Sequence, residues 1–212
     1  MEKPVIIFGA SGLAKEASEI LQKNHIEVYG FLADDTTLHG SEIDHVPVMG
    51  HTEDADYLKL IGKKCEAFVA VENIDERQGL VNLLNQQRKV MPINAIHPLA
   101  SIATSASIGY GNLLNTGVSL ASGVQIGNHC IIHTHALVEY DVEVDDFVQI
   151  GAGSIINGNV KIGKNTFIGA GVTIIAGINI GVGARIGAGA VVLADVKKEE
   201  VVLGNPATPV KL

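Results

Sequence analysis

The chain has 212 residues, enough for one domain of ordinary size or two small ones. Hydrophobic residues reach 47% but aromatics only 4%, with no Trp, so a core must be layered from Ile, Val, Leu and Ala. The formal net charge of −8, with scattered cations, argues against nucleic acid as a partner, because phosphate neutralisation needs clustered Lys and Arg.

Taken in chain order, residues 4–8 (PVIIF) predict a buried strand, and Gly9-Ala10-Ser11-Gly12 a tight turn. Residues 14–22 have the spacing of an amphipathic helix, with Ala17, Ile20 and Leu21 on one side. The opening MEKPVIIFGASG meets its turn residues too early for a signal peptide, and no apolar run approaches about 18 residues. A cytoplasmic protein with no membrane partner is expected. A second strand over 27–32 leads to Asp34-Asp35; a third over 67–71 precedes a helix over 75–87 and a fourth strand near 90–94. Strand–helix alternation over residues 1–95 predicts a small parallel α/β sheet.

The glycine turn opens a helix, so its backbone N–H groups suit phosphate binding, and two acids some 22 residues later suit ribose hydroxyls. The run Gly9-Ala10-Ser11-Gly12-Leu13-Ala14 lacks the GxGxxG fingerprint, however, and 95 residues are too few for a complete dinucleotide fold. A nucleotide-sugar site and a purely structural turn both remain open. Cys65 and Cys130 form neither a disulfide framework nor a CxxC pair and read as buried reduced thiols.

From Ile96, a step of six residues meets Ile, Leu or Val at all seventeen positions as far as Val192. Small residues such as Ala106, Cys130, Ala136, Ser154 and Ala184 stand two places before the step, and Gly often one place after it. A period of six fits a prism in which each hexapeptide makes one flat β face and one turn. Three hexapeptides close a triangular coil, so Ile108, Ile126 and Val144 should stack at the spacing of parallel strands. The prism is expected over 96–193, and residues 194–212 as its cap.

The whole chain, in this order, resembles the bacterial sugar acetyltransferases of the sialic acid O-acetyltransferase and UDP-aminosugar N-acetyltransferase family. VIIFGASG, GFLADD, Ile96-His97-Pro98, the uninterrupted hexapeptides and GNPAT carry the likeness. The resemblance implies a Rossmann-like α/β N-terminal domain followed by a left-handed parallel β-helix. It further implies a homotrimer, acetyl-CoA as co-substrate in a slot between subunits, no metal, and a nucleotide-sugar acceptor for surface-glycan assembly. Ser11, Gly12, Leu13, Asp34, Asp35 and Asn73 correspond to acceptor-binding positions; Gln149, Ala170 and Ala188 to coenzyme-binding ones, with Gly151 and Gly169 offering N–H groups beside them. Lys161, Lys164 and Arg185 are candidates for the coenzyme's phosphates.

Acetyl transfer to an amine needs a base, oxyanion donors and alignment. The family's base is a His in a stretch reading E-H-[DE]; here the stretch reads Glu139-Tyr140-Asp141. A tyrosine hydroxyl ordinarily titrates near 10, so poising one at pH 7 costs about 4 kcal/mol. Gln149 likewise stands where the family often has a second His. Substitute bases are His135 and, behind it, His133, while His129 and His97 read as structural. A zinc site of His129, His133 and His135, as in γ-class carbonic anhydrases, is the remote alternative. The runner-up to an active enzyme is a trimeric member that binds ligands with altered or lost chemistry.

Overall fold

The structure, a computed structural model, describes residues 3–210 and divides into two compact units, one ending at Pro98 and one beginning at Leu99. In the first unit, strands β1 (Val5–Phe8), β2 (Val28–Leu32), β3 (Glu42–Ile43), β4 (Val46–Gly50) and β5 (Glu66–Val69) form one sheet in the order β3-β4-β2-β1-β5. All four residues of β1 are fully buried, as a central parallel strand with both faces covered requires. Helix α1 (Gly12–Lys23) buries Leu13, Ala14, Ala17, Ser18, Ile20 and Leu21, which confirms the predicted face. At the end of β1, Gly9 has φ +111°, and a Cβ there would lie 2.5 Å from the Ala70 carbonyl oxygen. Only glycine lets the chain turn so close to β5.

Helix α2 (Ala55–Leu58) is a single turn; α3 (Ile74–Arg88) follows β5 at the predicted place. Two expectations fail in detail. Residues 90–94 are not a strand: Pro92 has no N–H to give, and Ile93 N–H makes a single bond to Ala67 O. The short strand β6 (Ala95–Ile96) comes after it. The β3–β4 hairpin is antiparallel and was not predicted. Its turn residues Asp44 and His45 both have positive φ (48° and 66°), a two-residue turn usually signalled by Asn-Gly.

The second unit is a parallel β-helix of triangular section whose strands are two residues long. Face A carries the strands that start at Ser101, Ser119, Leu137, Ile155, Thr173 and Val191; face B those at Ser107, Gln125, Glu143, Lys161 and Asn179. Face C carries those at Leu113, Ile131, Gln149, Phe167 and Arg185, and then Val201–Leu203. Each strand as far as Val191 pairs with the one eighteen residues away, so Ile108, Ile126 and Val144 do stack; the next strand, Val201–Leu203, departs, Val201 pairing with Arg185. The second residue of each strand points inward, and Ile132, Ile150, Ile156, Ile168, Ile174 and Ile186 are fully buried. Each such rung contributes roughly 1.5–3 kcal/mol of apolar burial. At the lower end Val201–Leu203 adds a last parallel strand, and Thr208–Pro209 folds back on it antiparallel. Among the described residues, no helix is long and apolar enough to cross a membrane.

Candidate active site

In the first unit, the C-terminal ends of β1, β2 and β5 open on a cavity of about 450 Å³. Ligand crevices of open α/β sheets lie at this edge. Of the residues singled out in the sequence, Ser11, Asp34, Asp35 and Asn73 line it, together with Thr52, Glu72 and Glu76, which the sequence reading missed. Gly12 starts α1 and Leu13 is 97% buried within the core, its relative exposure being 3%; neither lines the cavity. Ser11, the N-cap of α1, makes no side-chain cap bond, so first-turn N–H groups are left for an anion. Among the described residues, no Lys or Arg lines the cavity, so a phosphate there would rely on those backbone donors.

The carboxylates have different duties. Asp34 Oδ1 accepts from Thr52 N (3.1 Å) and Oγ1 (2.9 Å), with His51 at 3.7 Å. Partial burial works to raise its pKa, but the Thr52 bonds and His51 outweigh this and hold the carboxyl below its usual range. Asp35 Oδ1 accepts from Thr37 N and Oγ1, which caps the 3-10 turn Thr36–Leu38. Asn73 caps α3 by accepting from Glu76 N. Arg77, 1% exposed, donates to Val71 O (2.7 Å) and Glu72 O (3.0 Å) and so fixes the strand end that forms one wall. Arg77→Ala is expected to lower stability by about 2–4 kcal/mol, since two carbonyls lose a charged donor. Urea denaturation that shows less than about 0.5 kcal/mol of loss would contradict that role.

In the second unit, the three corners of the prism differ sharply. The corner between faces B and C is crowded: Asn128 Oδ1 covers Tyr110 N–H, Asp146 Oδ1 covers Asn128 N–H, and His129 packs on Phe147 with ring centroids 4.8 Å apart. The corner between C and A reads Gly151-Ala152-Gly153, Gly169-Ala170-Gly171 and Gly187-Ala188-Gly189 on successive coils. Outside Gly153, Gly171 and Gly189 there is open space. This bare track spans about 10 Å at the strand spacing.

Gly151 and Gly169 do not offer the free N–H groups expected of them. Their N–H groups donate along the prism to Ile168 O and Ile186 O, as the coil ladder demands, and cannot serve a ligand. Among the described residues, the N–H groups of Ala152, Ala170 and Ala188 meet no acceptor. They are the donors the track offers. Arg185 stands beside its lower end, stacked on Phe167 at 4.8 Å. Lys161 is tied to Glu143 on face B, and Lys164 lies near Asp146 at the crowded corner. A further hollow of about 540 Å³ on face B is an open flank around the Lys161–Glu143 pair.

At the corner between A and B, Glu139, Tyr140 and Asp141 do not act as a unit. A Cβ on Gly158 would lie 2.6 Å from Tyr140 Cζ, so the half-exposed ring rests on the next coil's glycine. Asp141, at φ +54°, turns the other way and lays its carboxylate over Gly123 on the preceding coil. The substitute histidines sit at the head of the bare track. His135, at φ +57°, places its ring over Gly117, away from the track. His133 stands one coil above Gly151, and its Nε2 lies 3.0 Å from Nε2 of the buried Gln149. His129 is on another corner, so the three imidazoles do not converge, and among the described residues no group of three metal-ligating side chains does. Buried His97 contacts Lys23 Nζ at 3.2 Å within the first unit.

A parallel-sheet domain with a ligand cavity, joined to a hexapeptide prism, defines a transferase of the hexapeptide-repeat class. Residues 4–84 match the PglD N-terminal domain, 141–176 the bacterial transferase hexapeptide (six repeats), and 159–194 the hexapeptide repeat of succinyl-transferase. A mutant perosamine N-acetyltransferase from Caulobacter crescentus, in complex with CoA and GDP-perosamine, is 30% identical, covers 99% of this chain and 97% of its own, and superposes with a TM-score of 0.91. The acetyltransferase domain of PglB from Neisseria gonorrhoeae, in complex with acetyl coenzyme A, is 27% identical over 99% and 100% (TM-score 0.89). WeeI from Acinetobacter baumannii is 28% identical over 98% and 99% (TM-score 0.86). No match was found among curated proteins. The chain belongs to the family of hexapeptide-repeat sugar acetyltransferases with a PglD-type N-terminal domain and a left-handed β-helix.

Proposed function

We propose that this protein is an acetyl-CoA-dependent acetyltransferase acting on an amino or hydroxyl group of a nucleotide-linked sugar, as a homotrimer in the cytoplasm. The observation that carries the reading is the bare Gly-Ala-Gly corner, where the N–H groups of Ala152, Ala170 and Ala188 on successive coils are unpaired among the described residues. A pantetheine arm is a slender chain with two amides, and its carbonyls can accept from such a row. Arg185 at the lower end suits the phosphates, which directs the thioester toward His133 and His135 at the upper end. The acceptor's diphosphate suits the α1 N-terminus, and its ribose the free oxygens of Asp34 and Asp35. GDP-perosamine bound by the Caulobacter relative supports an amino sugar as the acceptor class.

Trimer formation would cover face A, where Ile155 is 40% exposed and the corner residues Ile175 and Leu193 are 38% and 52% exposed. Such an apolar strip on a flat face is suited to a second copy of the chain. The test is to incubate the protein with acetyl-CoA and a panel of UDP-, GDP- and dTDP-linked amino sugars and to follow CoA release. Turnover with one member is expected, from a particle of about three times 22.2 kDa by light scattering. Tyr140 and Gln149, in place of two family histidines, favour one rival outcome, a binding-only member. Tight CoA binding without turnover of any acceptor would establish that rival.

A further inference from the structure

We infer that the nucleotide of the acceptor is a guanosine diphosphate, its base read by the carboxylates of Glu72 and Glu76. The inference rests on the nucleotide-sugar reading of the first unit's cavity and adds to it the base that this cavity selects. Two walls flank the turn that follows β1: the ends of β2 and β4 on one side, and the end of β5 with the start of α3 on the other. The β2 wall has little left for a base. Asp34 Oδ1 is engaged by Thr52 and Asp35 Oδ1 by Thr37, so each keeps one oxygen, enough for one ribose hydroxyl.

The β5 wall is different. Among the described residues, neither the Glu72 nor the Glu76 side chain accepts a hydrogen bond or meets a cation. Their backbone is nonetheless fixed, since Arg77 Nη1 donates to Glu72 O at 3.0 Å and Glu76 N donates to Asn73 Oδ1 at 3.0 Å. A ribose carries its base and its 5′-phosphate at opposite ends of the ring, with the two hydroxyls on a third side. Hydroxyls on the β2 wall and a diphosphate at the α1 N-terminus therefore direct the base to the β5 wall. A carboxylate offers only acceptors. Guanine presents N1–H and N2–H2 side by side, so it meets one carboxylate with two parallel bonds and keeps a second N2 hydrogen for another. Uracil and thymine present one N–H between two carbonyls, whose lone pairs a carboxylate repels. Adenine and cytosine set a ring-nitrogen acceptor beside their amino group. Among the described residues the cavity has no Lys or Arg to soften such repulsion.

The test is calorimetry of wild type, Glu72→Gln and Glu76→Gln with GDP, UDP, dTDP, ADP and inosine diphosphate, which differs from GDP only in lacking the N2 amino group. Wild type is expected to bind GDP about 30-fold more tightly than UDP, dTDP or ADP, as a bidentate base contact implies. The gap to inosine diphosphate should be about 10-fold, for one charged hydrogen bond. In at least one variant, GDP should weaken to the level of inosine diphosphate while UDP affinity and the thermal midpoint stay unchanged, because both side chains are exposed. A merely structural role would not narrow that gap. UDP, dTDP or ADP bound as tightly as GDP would overturn the inference and leave the nucleotide-sugar reading in place. A gap that survives in both variants would overturn it equally. Preference for GDP with no GDP-linked amino sugar acetylated would sustain the base assignment and defeat the acetyltransferase reading. No binding of any nucleotide would defeat both.

Discussion

Ala170→Glu is expected to abolish coenzyme A binding while the protein stays folded. Ala170 is exposed at the centre of the bare corner, with its carbonyl engaged by Gly189 N–H and its own N–H unpaired among the described residues. A glutamate there finds room outward, since nothing lies within 4 Å outside Gly153, Gly171 or Gly189. Its stability cost should stay within about 0.5 kcal/mol, as for an exposed substitution away from caps and cores. The same side chain would lie across the track, screen the Ala170 and Ala188 donors, and set a negative charge against a polyanionic ligand. A Kd raised by at least 100-fold, or about 2.7 kcal/mol, is expected from calorimetry, beside an unchanged thermal midpoint. An affinity within threefold of wild type would move the coenzyme off this corner altogether.

The track was legible in the sequence only once the coil phase was known. A period of six announces the prism, because an inward aliphatic needs only its copy eighteen residues away, and that relation is written in the chain itself. The triplets at 151, 169 and 187 become a groove when the phase places all three on one corner. What sequence could not give was direction. Gly151 and Gly169 look like donors until the ladder claims their N–H groups, and Ala170 and Ala188 are the ones left over. Glu139-Tyr140-Asp141 reads as one constellation, yet the left-handed backbone at Asp141 sends its side chain to the opposite coil. In the first unit, Asp34 and Asp35 were visible from the end of a strand, but Thr52, Glu72 and Glu76 reach the cavity only through tertiary structure. Asp35 and Asn73 are partly occupied by local capping, the competing use of any Asp or Asn at such a boundary.

Gly151→Val should disrupt the prism itself, in contrast to the exposed change at Ala170. A Cβ at position 151 would lie against Ala170 N, 2.5 Å from the carbonyl carbon of Gly169 and 2.7 Å from its oxygen. All three are backbone atoms of the next coil, and that coil is pinned by the Gln149–Phe167 and Ile150–Ile168 pairing and by Gly151 N–H to Ile168 O. No flexible side chain can yield, so the two coils must part, and every rung below shifts with them. Overpacking of a well-packed core typically costs 1–3 kcal/mol; here the resistance is a hydrogen-bonded backbone, and about 3 kcal/mol or more is expected. The matching change at Gly171, where space is open but φ is +66°, brings backbone strain without collision and should cost about 1 kcal/mol. Urea denaturation of the two variants separates these cases. Equal losses would mean that close approach of the coils is not what keeps glycine at position 151.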